Sequence, residues 1–169
     1  MADLATRVCQ VVSVPVLADA DTGYGEPWNV ARTVVSFERA GLAGLHLEDQ
    51  RNPKRCGHLD GKEVVPREEM LGKLRAALDA RRDPSFVIVA RTDARGVEGL
   101  KSAVERGHAY AEVGADAVFP EGLESLEEFE RFARELPVPV LANMTEFGKT
   151  PLLTVEQFRQ ARVRMVIFP

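Results

Sequence analysis

Phe86-Val-Ile-Val-Ala-Arg-Thr-Asp93 sets five apolar residues directly against an arginine and an aspartate. No period of two runs through the apolar part, which is how a strand covered on both faces reads, as in a parallel sheet. Arg91 and Asp93 then mark where such a strand stops and solvent or a ligand begins. The same figure recurs on either side. Val14–Ala18 runs into Asp19 and Asp21, Gly44–Leu47 into Glu48 and Asp49, Ala117–Phe119 into Glu121, and Val138–Ala142 into Asn143, while Met165–Phe168 ends the series. The strand ends recur at intervals of about 20 to 45 residues, the span of successive βα units. Right-handed crossovers leave two candidates, a closed barrel or an open doubly wound sheet. An open sheet concentrates its chemistry at a switch point, whereas a (β/α)8 barrel gathers it at the C-terminal ends of many strands. Five polar strand ends in succession predict the α/β class and a (β/α)8 TIM-type barrel.

Helical periodicity fills the intervals. Asn29–Ala40 carries Val30, Ala31, Val34, Val35 and Phe37 and stops at Gly41; Glu68–Arg81 spaces Met70, Leu71, Leu74, Ala77 and Leu78. Val97–Val113 carries Leu100, Val104, Ala109, Ala111 and Val113 and stops at Gly114, glycine being the usual residue past a helix end. Ser125 with Glu128, and Thr154 with Gln157, match capping boxes for helices reaching about Glu135 and Ala161. A helix-like stretch, Leu4–Val12, precedes the first strand and places Cys9 on an apolar face, a core position. His46, inside an apolar run, reads as a satisfied core histidine, and His108 and the acidic Glu124–Glu135 helix as exposed faces.

The chain has 169 residues, and a full barrel needs roughly 200 or more. Residues 1–169 therefore read as a single partial barrel domain, about strands 3–8, with the first two strands and the C-terminal helices outside it. Hydrophobic residues make up 45% and charged residues 28%, a globular balance and unlike a disordered one. The net charge of −4 offers no basic surface for nucleic acid. No apolar run is long enough for a membrane span, and the first residues lack a signal-peptide core. Two cysteines make no disulfide framework, which points to the reducing cytoplasm.

Several stretches carry chemistry. In Asp19-Ala-Asp-Thr-Gly-Tyr-Gly, two carboxylates two residues apart point to one side of a strand end. Such oxygens suit Mg²⁺, which takes one or two carboxylates and keeps its waters; a capped turn with solvated aspartates is the plain alternative. Glu48, in Leu47-Glu-Asp-Gln, could hold a metal-bound water beside that aspartate pair; a surface ion pair is the plain alternative. The longest interval holds Pro53-Lys-Arg-Cys-Gly-His and Asp60-Gly-Lys-Glu, an extended loop of the kind that forms lids. There Cys56 sits among Lys54, Arg55 and His58, cations that favour a thiolate; an unreactive loop thiol is the plain alternative. Arg91 offers a fork for carboxylates, or else pairs with Asp93 or Glu121. Glu121, Asn143 and Thr145 add hydrogen-bonding groups.

These motifs, with Ala90-Arg-Thr-Asp, Phe119-Pro-Glu and Ala142-Asn-Met-Thr-Glu-Phe-Gly, occur in this order in the isocitrate lyase/phosphoenolpyruvate mutase superfamily, which the chain resembles over about residues 14–169. Lys54-Arg-Cys-Gly-His resembles the lyase branch that acts on 2-methylisocitrate; phosphonate-forming mutases lack that cysteine. The resemblance implies an Mg²⁺-dependent lyase that cleaves 2-methylisocitrate to pyruvate and succinate, in propionate catabolism through the methylcitrate cycle. It assigns the metal to Asp19 and Asp21, with Glu48 supporting its water shell. Cys56 becomes the acid that protonates the succinate carbanion, tuned by His58 and Arg55. Cys56, Gly57, Arg91, Glu121, Asn143 and Thr145 line the site for a di- or tricarboxylate. A homo-oligomer, a tetramer, is implied for the full-length protein. Related chemistries (2,3-dimethylmalate cleavage, oxaloacetate decarboxylation or hydrolysis, a phosphonomutase-like reaction) share the aspartate pair, and a truncated, non-catalytic barrel is the alternative from another class.

Overall fold

A computed structural model describes all of residues 1–169. Its strands are β1 (Leu17–Asp19), β2 (Gly44–Glu48), β3 (Val87–Thr92), β4 (Ala117–Pro120), β5 (Leu141–Asn143) and β6 (Met165–Ile167). Its helices are α1 (Ala2–Val11), α2 (Pro27–Arg39), α3 (Arg67–Ala80), α4 (Leu100–Val113), α5 (Leu126–Glu135) and α6 (Val155–Gln160). β1 to β4 pair in chain order as one parallel sheet, and β5 pairs with β6 in parallel. The parallel bridge between Val118 and Val140 joins the two sheets. Every strand therefore neighbours its sequence neighbours, with no reversal of order. That is the arc of a (β/α) barrel and excludes a doubly wound sheet, whose order reverses at a switch point.

The pleat sorts each strand into two faces. Ala18, Leu45, Leu47, Ile88, Ala90, Val118, Val140 and Ala142 pack outward into the core shared with the helices. Val89, Ala117, Phe119 and Leu141 form a second cluster on the concave face, with Val87, Met165 and Ile167 against it. Burial on both faces is why the runs carry no polar alternation. By the same alternation Asp19, His46, Glu48, Arg91, Glu121 and Asn143 stand on the concave side.

The helices mostly lie where periodicity places them, with several instructive differences. The expected helix from Val97 begins at Leu100, because Gly99 takes φ +89° after a 3-10 turn over Ala94–Gly96. Its buried face is Ala103, Val104, Arg106, Gly107 and Tyr110, while Ala109, Ala111 and Val113 are only half-buried. α5 is no plain exposed face, since it buries Phe129 and Phe132. Ser125 Oγ accepts from Glu128 N at 3.3 Å, but the Glu128 carboxylate turns to Glu124 N and Arg95 rather than completing a box. Thr154 and Gln157 do complete theirs. α1 fully buries no residue, and Cys9 is half-buried beside Gly41, packed against the main core as expected. No helix is long and apolar enough to cross a membrane.

Candidate active site

Parallel pairing sets the polar strand ends side by side. Asp19 registers with His46, and Glu48 with Arg91, so charge collects at one rim. Arg91 is its hub. The guanidinium reaches Asp93 through Nε at 2.9 Å and Nη2 at 3.2 Å, Glu121 through Nη1 at 3.2 Å, and Glu48 at 3.5 Å, over the Phe119 ring. Burial alone would lower its pKa, and the carboxylates of Asp93, Glu121 and Glu48 outweigh that and raise it. Glu121 is fully buried. It accepts from Gly122 N at 3.0 Å and Asn143 Nδ2 at 3.3 Å and meets His58 Nε2 at 3.0 Å, while Thr145 donates to Asn143 Oδ1 at 3.0 Å. The structure thus brings Arg91, Glu121, Asn143 and Thr145 into one connected set. Of the two sequence readings for Arg91, the structure shows the pairing one, with Asp93 and Glu121 both engaged at once.

The acidic half of the rim is less saturated. Asp19 Oδ1 accepts from Asp21 N at 2.7 Å. Both Glu48 carboxylate oxygens are buried with no hydrogen-bond donor, and burial pushes this carboxyl up to about 7. His46 is buried but not satisfied: its Nδ1 lacks a hydrogen bond and lies 3.6 Å from Asp19, and burial lowers its pKa. Lys54 Nζ stands 2.5 Å from Asp21 Oδ1 and 4.0 Å from Glu48 Oε1. Asp19, Asp21 and Glu48 do not form a ready three-ligand cluster. The donor set still fits a hard divalent cation that keeps its waters. It is all oxygen, the two buried Glu48 oxygens accept no hydrogen bond, and a side-chain ammonium already sits against it.

The long loop between β2 and α3 folds back over this rim. Its stem is antiparallel, with Arg51 N bonding Glu63 O at 2.8 Å and Val65 N bonding Asp49 O at 2.9 Å. Gln50 brackets Arg55, donating to its carbonyl and accepting from its amide, each at 2.9 Å. Gly57 lies so close to the rim that a Cβ there would meet Glu121 Cγ at 2.2 Å and Arg91 Nη2 at 2.6 Å. Cys56, one residue away, is exposed. The cations expected to tune the thiol are engaged elsewhere. Lys54 is held by Asp21, the two His58 nitrogens face Glu121 and Lys149 N, and the Arg55 guanidinium lies by Gly61. For Lys54 and His58 the reason is competition, since a carboxylate takes a charge-assisted bond that a thiol cannot match.

Sequence reasoning missed a buried layer beneath the rim. Asp49 accepts from Thr92 Oγ1 at 2.8 Å, Asp93 N at 2.9 Å, Tyr110 Oη at 2.8 Å and Arg106 Nη1 at 3.4 Å. Lys62 is buried beside Asp93 at 3.5 Å. Arg106 and Tyr110, four apart on one helix, were the legible signal; nothing in the sequence singles out Lys62.

The sequence profile of the phosphoenolpyruvate phosphomutase family matches residues 1–169. A 2-methylisocitrate lyase from Aeropyrum pernix is 58% identical over 169 residues, covering 100% of this chain and 54% of that protein. The solved structure of a 2,3-dimethylmalate lyase superposes with a TM-score of 0.95 at 40% identity, over 100% of this chain and 57% of that one. An oxaloacetate acetylhydrolase bound to 3,3-difluorooxalacetate gives 0.94 at 44% identity, over 99% and 58%. The chain spans about half the length of the curated relatives it matches.

Proposed function

Because the chain belongs to the phosphoenolpyruvate phosphomutase family, we propose that it forms the catalytic rim of a magnesium-dependent lyase that cleaves 2-methylisocitrate to pyruvate and succinate. The observation that carries this reading is one rim with two halves under one loop. Asp19, Asp21 and Glu48 stand on one side, Arg91, Glu121 and Asn143 on the other, and Gly57 seats the Cys56-bearing loop upon them. Relatives named 2-methylisocitrate lyase at over half identity support the substrate.

Each group has a task that its surroundings allow. Arg91 and Asn143 present N–H donors for substrate carboxylates, and Glu121 and Asp93 fix the guanidinium beforehand, so little ordering is left to the moment of binding. Asp19 and Asp21 would hold Mg²⁺, Asp19 directly or through water, with Glu48 accepting from its waters. When bound, the cation supplies Lewis-acid stabilisation of charge on the oxo-acid oxygens. A general base takes the proton of the substrate hydroxyl, the hydroxyl oxygen becomes the carbonyl of pyruvate as the C–C bond breaks, and the bonding pair stays on the succinate fragment as a carbanion. Cys56 donates its thiol proton there while the loop keeps water out.

Turnover of full-length protein with 2-methylisocitrate, isocitrate, 2,3-dimethylmalate and oxaloacetate tests the assignment, and silence on the first compound defeats it. Cleavage of 2,3-dimethylmalate or hydrolysis of oxaloacetate is the second reading, favoured by the two superpositions at TM-scores of 0.95 and 0.94; preference for either compound would establish it. Titration calorimetry tests the metal, with Asp21→Ala weakening Mg²⁺ binding by about 10- to 100-fold. The family resemblance also supports a homo-oligomer, a tetramer, readable by light scattering. The two free cysteines suit a reducing compartment such as the cytoplasm.

A further inference from the structure

Lys62 is the one lid residue whose charge goes down into the body of the protein instead of onto the rim. Its side chain is 3% exposed, its ammonium pairs with Asp93 at 3.5 Å, and it donates to the carbonyl of Gly57. The other charged lid contacts differ in kind. Lys54 pairs with Asp21 and His58 with Glu121, groups that substrate or metal would engage, and Asp60 meets Lys149 at the surface. Asp93 shares its oxygens between the two sides. Oδ1 faces Lys62 and Arg91 Nη2, and Oδ2 takes Arg91 Nε. Asp93 is in turn held by its backbone amide on Asp49, which Tyr110 and Arg106 of α4 fix.

We propose that Lys62 is a positioning residue that latches the lid in its closed place through Gly57 and, by sharing Asp93, ties that closure to the orientation of the Arg91 guanidinium. The latch needs neither ligand nor metal, since both of its partners are protein groups. It explains why Gly57 is glycine, because the carbonyl that Lys62 pulls inward belongs to the residue whose Cβ would strike Glu121. It also explains the buried Asp49, whose carboxylate sets the height of the Asp93 amide. The inference rests on the proposed reading of the loop as a lid over a catalytic rim, and its test separates the two.

Full-length protein is digested with trypsin under native conditions, and cleavage after Lys54 and Arg55 is timed by mass spectrometry. Lys62→Met should quicken that cleavage about tenfold, the worth of a hydrogen bond to a charged group. It should lower kcat by a similar factor while moving KM little, and Lys62→Arg should restore most of both. Gly96→Ala is the milder probe. Gly96 is exposed, and an added Cβ would lie 3.2 Å from Lys62 Nζ, so it should quicken cleavage less, at an unchanged melting temperature. Wild-type cleavage and kcat in Lys62→Met overturn the latch. So does faster cleavage that only tracks a fallen melting temperature while Gly96→Ala cleaves as wild type. Should the wild-type enzyme not turn over 2-methylisocitrate, the substrate assignment falls and the cleavage rates still report the latch.

Discussion

At the residue scale, the rim separates groups by what their neighbours do to their protons. Glu48 and Glu121 are both buried glutamates at strand ends, yet they move in opposite directions. Glu48 has no donor, and burial pushes it up to about 7. For Glu121 burial acts in the same upward sense, but His58, Arg91 and Asn143 outweigh it and hold the carboxyl below its ordinary 4.5. A depressed carboxylate contributes its stability above the unfolded value and loses it as pH falls through the folded one. Glu121→Gln should therefore cost about 2 kcal/mol near neutral pH and progressively less below pH 4.5. Denaturant melts across pH would show the two curves converging on the acid side, and parallel curves would refute it. Cys56 belongs to this scale too. Cys56→Ser should cut turnover by about 10²- to 10⁴-fold and leave Mg²⁺ affinity nearly unchanged by calorimetry. Equal loss of both would make the cysteine structural.

At the scale of elements, βα units position the site and α4 braces it from behind. The motifs Asp19-Ala-Asp, Glu48-Asp-Gln and Ala90-Arg-Thr-Asp were legible because a strand buried on both faces must change character where it ends. The face of α4 was read only in part: Val104 is in the core and Leu100, Ala109 and Val113 pack against it, but Arg106 and Tyr110 count as polar in a periodicity, yet both are buried against Asp49. Arg106→Met would leave Asp49 with one charge partner fewer in a dry layer. It should destabilise the fold by about 3 kcal/mol, and thermal melts check this; a change within error would show Tyr110 and the Asp93 amide to suffice. Strand packing is as strict. A Cβ at Gly44 would lie 2.4 Å from Val87 O, so Gly44→Ala must part β2 from β3, at about 1–3 kcal/mol in the same melts.

At the scale of the whole molecule, the six strands form an arc with two free edges, β1 and β6. Leu17 is exposed at one edge, and α1, which packs on α2, exposes Leu4, Val8 and Val11. Unpaired strand edges with apolar flanks template association. The 169-residue chain on its own should sediment as concentration-dependent assemblies; a monomer at every concentration would count against this.

The sequence by itself determined the order of strands and helices, the barrel class and most rim residues. Both-face burial and polar strand ends are local consequences of composition. Tertiary structure decided which cation serves which acid. Lys54, His58 and Lys62 lie within nine residues of one another in the same loop, and only the docking of that loop sends them to Asp21, Glu121 and Asp93 respectively. The acids come from three different strand ends, and the choice among them depends on distances across space that no spacing along the chain encodes.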